Sequence, residues 1–236
     1  MGKRIIQQHR GRGTMRYRAR GKAYRFKIGY LNETGRAKVV KLLNSSAHSA
    51  PLAKILINAK AFYTPACKHM HEGQEIIMGV AEVKEGNILA LKDIPIATRI
   101  FNIETFPGNG GRLIRTGGSS AMITKKSENR VVVSLPSKKE ISLDERCRAT
   151  VGIIAGHGRL DKPMMKAGKK FYMMKARNKL WPRTSAVKMN VVDHPFGSGR
   201  GKNLAHGQKG KIPKNNAPPG ALVGTIHPRR TGRRKR

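Results

Sequence analysis

Acidic residues are scarce in this sequence. Thirteen Asp and Glu stand against 49 Lys and Arg in 236 residues, which leaves a formal net charge of +36. Self-repulsion at that level opposes compaction, so the fold expects a polyanion to supply the missing negative charge. Nucleic acid leads, with an anionic membrane surface as the second candidate. The membrane reading needs a basic amphipathic helix, and no segment provides one. Long apolar runs are missing too, which excludes a membrane-spanning helix. The opening Met1-Gly2-Lys3-Arg4-Ile5-Ile6 lacks the apolar core of a signal peptide, and Ile6 stands where a myristoylation signal takes Ser or Thr. Only Cys67 and Cys147 are present, far apart, and reduced thiols in a cytosolic protein are expected.

The charge is uneven. Residues 1–32 hold +10 with no acid, residues 33–161 hold +7, and residues 162–236 hold +19 with Asp193 as their only acid. A moderately charged centre therefore lies between two strongly basic arms. In the first arm, Arg10, Arg12, Arg16, Arg18, Arg20 and Arg25 alternate with glycine and with Tyr17, Tyr24, Phe26 and Tyr30. No helical apolar stripe runs through it, so it reads as an extended segment that mixes phosphate clamps with stacking surfaces.

The centre reads as β-structure. Runs at 37–43, 52–57 and 75–80, separated by turn residues, suit a small closed or half-closed barrel. Lys84-Glu85-Gly86-Asn87 then reads as a hinge. Runs at 88–91, 99–103, 121–124, 130–135 and 149–154, with Gly/Pro/Asn turns between them, predict a second small barrel. Cys67-Lys68-His69-Met70-His71 invites a zinc reading, but ligands two apart in one stretch with no second pair elsewhere are a weak metal signal. Pro107-Gly108-Asn109-Gly110-Gly111-Arg112 lacks the Gly-Lys-Ser/Thr ending of a nucleotide-phosphate loop and the strand-helix setting of a dinucleotide fingerprint. A glycine loop carrying Arg112 and Arg115 fits an RNA backbone better.

Beyond residue 162 the text is charge, glycine and proline. Residues 162–177 predict a helical turn or two, with their Met pairs as packing filler. Trp181-Pro182-Arg183 holds the only tryptophan. The stretch Val191-Val192-Asp193-His194-Pro195-Phe196-Gly197-Ser198-Gly199-Arg200-Gly201-Lys202 supports two readings. Asp193 could orient His194 for acid–base chemistry, although no nucleophile is evident nearby. Alternatively, the glycines let the backbone follow a phosphate chain while Arg200 and Lys202 neutralise it and His194 stacks or donates a hydrogen bond. The chain closes on Arg229, Arg230, Arg233 and Arg234 in a run that suits either an RNA-bound tail or a nuclear-localisation signal.

Several unrelated motifs occur together in order: Pro107 to Leu113 with Arg115, Arg148-Ala149-Thr150-Val151-Gly152, Gly158-Arg159-Leu160-Asp161-Lys162-Pro163 with Lys166-Ala167-Gly168, Trp181-Pro182-Arg183, and Met189-Asn190 through Gly199. With these the chain, from about Gly11 onward, resembles the universal large-subunit ribosomal protein L-two family in its archaeal or eukaryote-like form. The resemblance implies a mainly β fold: a basic N-terminal extension (1–32), an OB-like barrel (33–84), an SH3-like barrel (85–165) and an extended basic tail (166–236). It implies a cytoplasmic structural constituent of the large subunit, a primary rRNA binder near the peptidyl-transferase centre that supports subunit association, tRNA binding and peptide-bond formation. Partners would be large-subunit rRNA, neighbouring ribosomal proteins, small-subunit rRNA at an intersubunit bridge and, indirectly, tRNA, with no membrane, cofactor or metal. The family's functionally critical histidine falls on His194; a catalytic role has been proposed for it, but assembly around an RNA centre accounts for the residue. Arg159, Lys162, Trp181, Arg183 and Phe196 join the RNA-facing set. The sequence departs from the family pattern at Val191, usually proline, and Ser198, usually glycine.

Overall fold

The computed structural model describes residues 2–18, 20–80, 82–194, 196–197, 220–223 and 229–230. It divides into two compact units, residues 19–177 and residues 1–18 with 178–236. Each is described separately.

The larger unit is built on ten strands. In chain order they are β1 (Gly35–Leu43), β2 (Leu52–Ile57), β3 (Lys60–Pro65), β4 (Glu75–Met78), β5 (Ile88–Ala90), β6 (Arg99–Phe101), β7 (Ala121–Ser127), β8 (Arg130–Ser134), β9 (Glu140–Asp144) and β10 (Arg148–Val151). They hydrogen-bond in the order β3-β2-β1-β4-β5-β10-β6-β7-β8-β9. The pairings between these strands are antiparallel except that of β4 with β5, a parallel bridge of Met78 to Ile88; Ile28 adds a second parallel bridge, to Tyr63 of β3. Two irregularities bend the ladder, one between Val39 and Lys41 in β1 and one between Ile123 and Lys125 in β7. Such bulges kink and twist strands where a sheet must curl.

The period-2 patterns become two cores. Val39, Ile55, Ile57, Phe62, Ile76, Met78, Ile88 and Phe101 pack in one cluster. Leu89, Leu91, Ile94, Ile100, Ile103, Ile123, Val131, Val133 and Val151 pack in the other. Ile88 and Leu89 are consecutive yet belong to different clusters, because successive side chains of a strand point to opposite faces.

In this unit every expected strand run is present, with ends moved by a few residues, and two strands are additional. β3 follows β2 through Asn58-Ala59, both with positive φ (45° and 63°), the signature of a two-residue hairpin turn. β9 alternates Glu140, Ile141, Ser142, Leu143 and Asp144, a clean half-buried pattern. Both are edge strands; β9 is short and polar, as natural sheet edges commonly are, whereas β3 buries Phe62, Thr64 and Pro65. After β10 the chain forms helix α2 (Ala167–Ala176), longer than the turn or two expected.

The smaller unit corrects the reading of the first arm as extended throughout. Ile6–Gly11 forms a one-and-a-half-turn helix, α1. Gln8 Oε1 accepts the Ile5 N–H at 3.0 Å, satisfying one of the unpaired donors at the helix start, and Ile5 itself is buried. A helix this short presents no stripe long enough to detect. In the same unit Leu222–Val223 pairs antiparallel with Arg229–Arg230, and the Trp181–Pro182 peptide is cis.

Candidate nucleic-acid interface

The glycine loop between β6 and β7 is held by a buried polar network. Glu104, wholly buried, accepts hydrogen bonds from the Gly110 N–H at 2.8 Å and the Arg148 N–H at 2.9 Å. The Arg148 guanidinium completes the shell, with one nitrogen 2.8 Å from Glu104 and another donating to the Leu31 carbonyl at 2.6 Å. Burial opposes ionisation of Glu104, but the Arg148 and Gly110 hydrogen bonds overcome it and hold the carboxyl below its ordinary value. Tyr30 donates its hydroxyl to the Asn102 carbonyl at 2.7 Å and lies 2.7 Å from Thr150 Oγ1. Its pKa is raised by that burial, so it stays a neutral donor.

Arg115 points into this network. It donates to Asn102 Oδ1 at 3.0 Å, to the Ile28 carbonyl at 3.3 Å and to the Gly111 carbonyl. Burial, and then the charge of Arg112, lower its pKa. Arg112 is exposed and leans on Asn109 Oδ1 at 3.2 Å. Gly111, at φ 80°, lies where a Cβ would collide with the carbonyl and side chain of Asn102. The loop is thus a rigid cationic projection, with Arg112 outward and Arg115 supporting from behind. Glu104 is not among the residues that the sequence singles out, and Arg148 stands there only within a family motif. The signal was one acid in a basic loop region, which must be paired if buried.

The other residues singled out fall in several places. In the larger unit Arg20, Tyr24, Arg25 and Lys162 are exposed, whereas Arg159 is half-buried and donates to the Gly117 carbonyl at 3.1 Å. Tyr24 stands edge-on to His48, ring centroids 5.4 Å apart, and Arg25 lies 5.7 Å from the Phe26 ring. In the smaller unit Arg10, Arg12, Arg16, Arg18 and Arg183 are exposed, and Tyr17, Trp181, His194 and Phe196 are half-buried. Only the backbone of Arg229 and Arg230 is described. Arg200, Lys202, Arg233, Arg234, Pro195 and Ser198 lie outside the described residues.

The His194 turn is closed by its own backbone. Asn190 O accepts from the N–H groups of Asp193 at 3.0 Å and His194 at 3.2 Å, and His194 O accepts from Gly197 N–H at 2.8 Å. A Cβ on Gly197 would overlap the Met189 and Asn190 carbonyls, so that position admits only glycine. The sequence reading had Asp193 orienting His194, and here the geometry differs. The Asp193 carboxylate sits 3.4 Å from Lys3 Nζ, while Lys3 N–H donates to Val192 O at 2.7 Å. His194 Nδ1 accepts the Phe196 N–H at 3.1 Å, and the two rings stand edge to face at 4.9 Å. Nδ1 thus meets a backbone N–H, whereas the histidine of a Ser-His-Asp triad turns that atom to its carboxylate. Among the described residues the Asp193 carboxylate therefore has Lys3, from the first arm, as its ion-pair partner.

Neither cysteine is arranged for chemistry. Both are buried and free, and burial pushes each thiol up to about 11. Among the described residues no group of three or more His, Cys, Asp or Glu could hold a metal ion, and no helix is long and apolar enough to cross a membrane.

Exposed guanidinium groups on a rigid glycine loop and on basic arms, with aromatic rings among them, define a polyanion-binding protein built on a β scaffold. Residues 84–216 match the family model described as Ribosomal Proteins L2, C-terminal domain. The chain is 41% identical over 240 residues to the large ribosomal subunit protein uL2 of Archaeoglobus fulgidus, covering all of both chains. It is 43% identical over 244 residues to the proteins of that name from Methanocaldococcus jannaschii and Hyperthermus butylicus, again over the full length of each. The chain belongs to the uL2 family of ribosomal proteins.

Proposed function

We propose that this protein is a structural constituent of the large ribosomal subunit in the cytoplasm, and that it binds large-subunit rRNA near the peptidyl-transferase centre. The observation that carries the reading is the placement of charge: +10 and +19 in the two terminal segments against +7 in the strand-rich centre. Counterion release from phosphate drives such segments onto RNA regardless of sequence, and the rigid Arg112 loop gives register. Residues 33–84 are the OB-like barrel and 85–165 the SH3-like barrel; the second cluster lies wholly within 85–165, while Ile88, Phe101 and Ile154 of that segment pack into the first. Residues 1–32 and 166–236 carry the extended RNA contacts. The RNA-facing set comprises Arg10, Arg12, Arg16, Tyr17, Arg18, Arg20, Tyr24, Arg25, Arg112, Arg159, Lys162, Trp181, Arg183, His194, Phe196, Arg200, Lys202, Arg229, Arg230, Arg233 and Arg234, with Arg115 bracing the Arg112 loop from within. Neighbouring ribosomal proteins, small-subunit rRNA at an intersubunit bridge and, indirectly, tRNA are the further partners.

The protein is not an enzyme in this reading, and its contribution to subunit association, tRNA binding and peptide-bond formation is architectural. The hydrogen bond of the Phe196 N–H to His194 Nδ1 and the engagement of Asp193 with Lys3 support that role. Sedimentation from gently lysed cells, with and without ribonuclease, tests the assignment. Co-migration with the large subunit that disappears on RNA digestion is the expected result. A small, nuclease-indifferent species would overturn it.

A further inference from the structure

Helix α2 carries an aromatic face that a helix of a soluble monomer would ordinarily cover. Tyr172 is 59% exposed and Phe171 43%, and the two rings stand edge to face with centroids 5.5 Å apart. The Arg20 guanidinium, from a segment 152 positions earlier in the chain, lies 5.4 Å from the Tyr172 centroid. A small buried cluster brings them together: Ala176, one turn beyond Tyr172, packs with Ala23 and Ala47. A turn closed by the Ala23 N–H on the Arg20 carbonyl (2.9 Å) and the Ala47 N–H bond to the Ala23 carbonyl (3.2 Å) fix the position of Arg20. The arrangement is therefore built by tertiary packing, with an arginine and two aromatic rings presented outward.

The surroundings select the occupant. From Lys162 to Arg177 the chain holds six Lys or Arg and no acid. Lys169 and Lys175 flank Tyr172 at three residues on either side, positions that share a helix face. An apolar protein surface would leave these cations poorly solvated, whereas a nucleotide offers a π-face to the rings and a phosphate to the lysines. We propose that the Tyr172 face of α2, together with Arg20, is a stacking platform for an unpaired nucleotide of RNA. The platform rests on the reading of the chain as an RNA binder and adds a base-contacting site to phosphate binding by the arms.

Fluorescence anisotropy on the full chain tests it. The probes are end-labelled short oligoadenylate and an abasic strand of equal length and charge, at about 0.2 M salt, where phosphate contacts alone are weakened. The wild type should prefer oligoadenylate. Tyr172→Leu should reduce that preference by about 5- to 100-fold, one stacked base, while leaving abasic affinity unchanged. Tyr172→Phe and Tyr172→Trp should retain it, and Arg20→Met should lose part of it. An unchanged preference in Tyr172→Leu, or an equal loss for both probes, would overturn the platform while leaving RNA binding intact. Failure of the wild type to bind either probe would overturn the platform together with the proposed function. Tyr172 is exposed, so its variants should keep the wild-type melting temperature. If Tyr172→Leu melts lower, the comparison of Tyr172→Phe with Arg20→Met decides, and equal preferences in those two would sink the idea.

Discussion

Glu104 shows how much one residue settles. Among the described residues it is the one buried acid, and its oxygens hold both the glycine loop and the Arg148 backbone. Removing one charge of a buried pair leaves the other uncompensated, so Glu104→Gln should lower unfolding stability by about 3 kcal/mol, measurable by chemical denaturation. The pH dependence follows from the direction of its shift. The folded carboxyl titrates below its ordinary 4.5, so its stabilising contribution is complete above that value and is lost as pH falls through the lower folded value. The acid limb of a stability profile, below about pH 4.5, should therefore flatten in Glu104→Gln. At His194 the distinguishing pair is alanine and asparagine. An asparagine oxygen can accept the Phe196 N–H much as Nδ1 does. His194→Asn should keep more peptide-bond formation in reconstituted subunits than His194→Ala. Equal loss in both would point to the imidazole itself.

Strands are legible where an apolar run stands between turn residues, in β4, β5, β6 and β10 of three or four residues as in the longer strands. β1, β2, β7 and β8 alternate over five residues or more and were found. β3 and β9 were passed over although each carries a signal, an Asn-Ala turn before one and strict alternation in the other. β9 is polar and charged, as an edge demands, and mimics a loop in sequence, whereas β3 is a mixed run around buried Phe62 that no clear alternation marks. The same turn offers a stabilising change. Ala59 is exposed at φ 63°, where a Cβ crowds the backbone. Ala59→Gly should raise the melting temperature, with a gain of about 1 kcal/mol. A drop would mean that the unfolded-state entropy of glycine outweighs the relieved strain. α1 was missed for a different reason: its few residues are stabilised by a Gln8 cap and by burial of Ile5, neither of which a periodicity test registers.

At the scale of the whole molecule charge governs behaviour. With six or more phosphate contacts, affinity for RNA should fall by about 1,000-fold or more between 50 and 200 mM salt. Binding measured across that range should give a linear log–log plot, and a slope near zero would show that phosphate contacts do not dominate. The charge asymmetry, the β class, most strands and the family motifs could be read from the sequence alone, because composition and local periodicity are properties of neighbouring residues. The partners of the buried polar groups could not. Arg115 looked like a phosphate ligand yet turns inward to Asn102, Ile28 and Gly111. Asp193 stood beside His194 in the chain yet meets Lys3. Arg20 reaches Tyr172 only because three alanines pack between their segments. Electrostatic and stacking partners are chosen by distance in space, and packing of segments remote in sequence sets that distance.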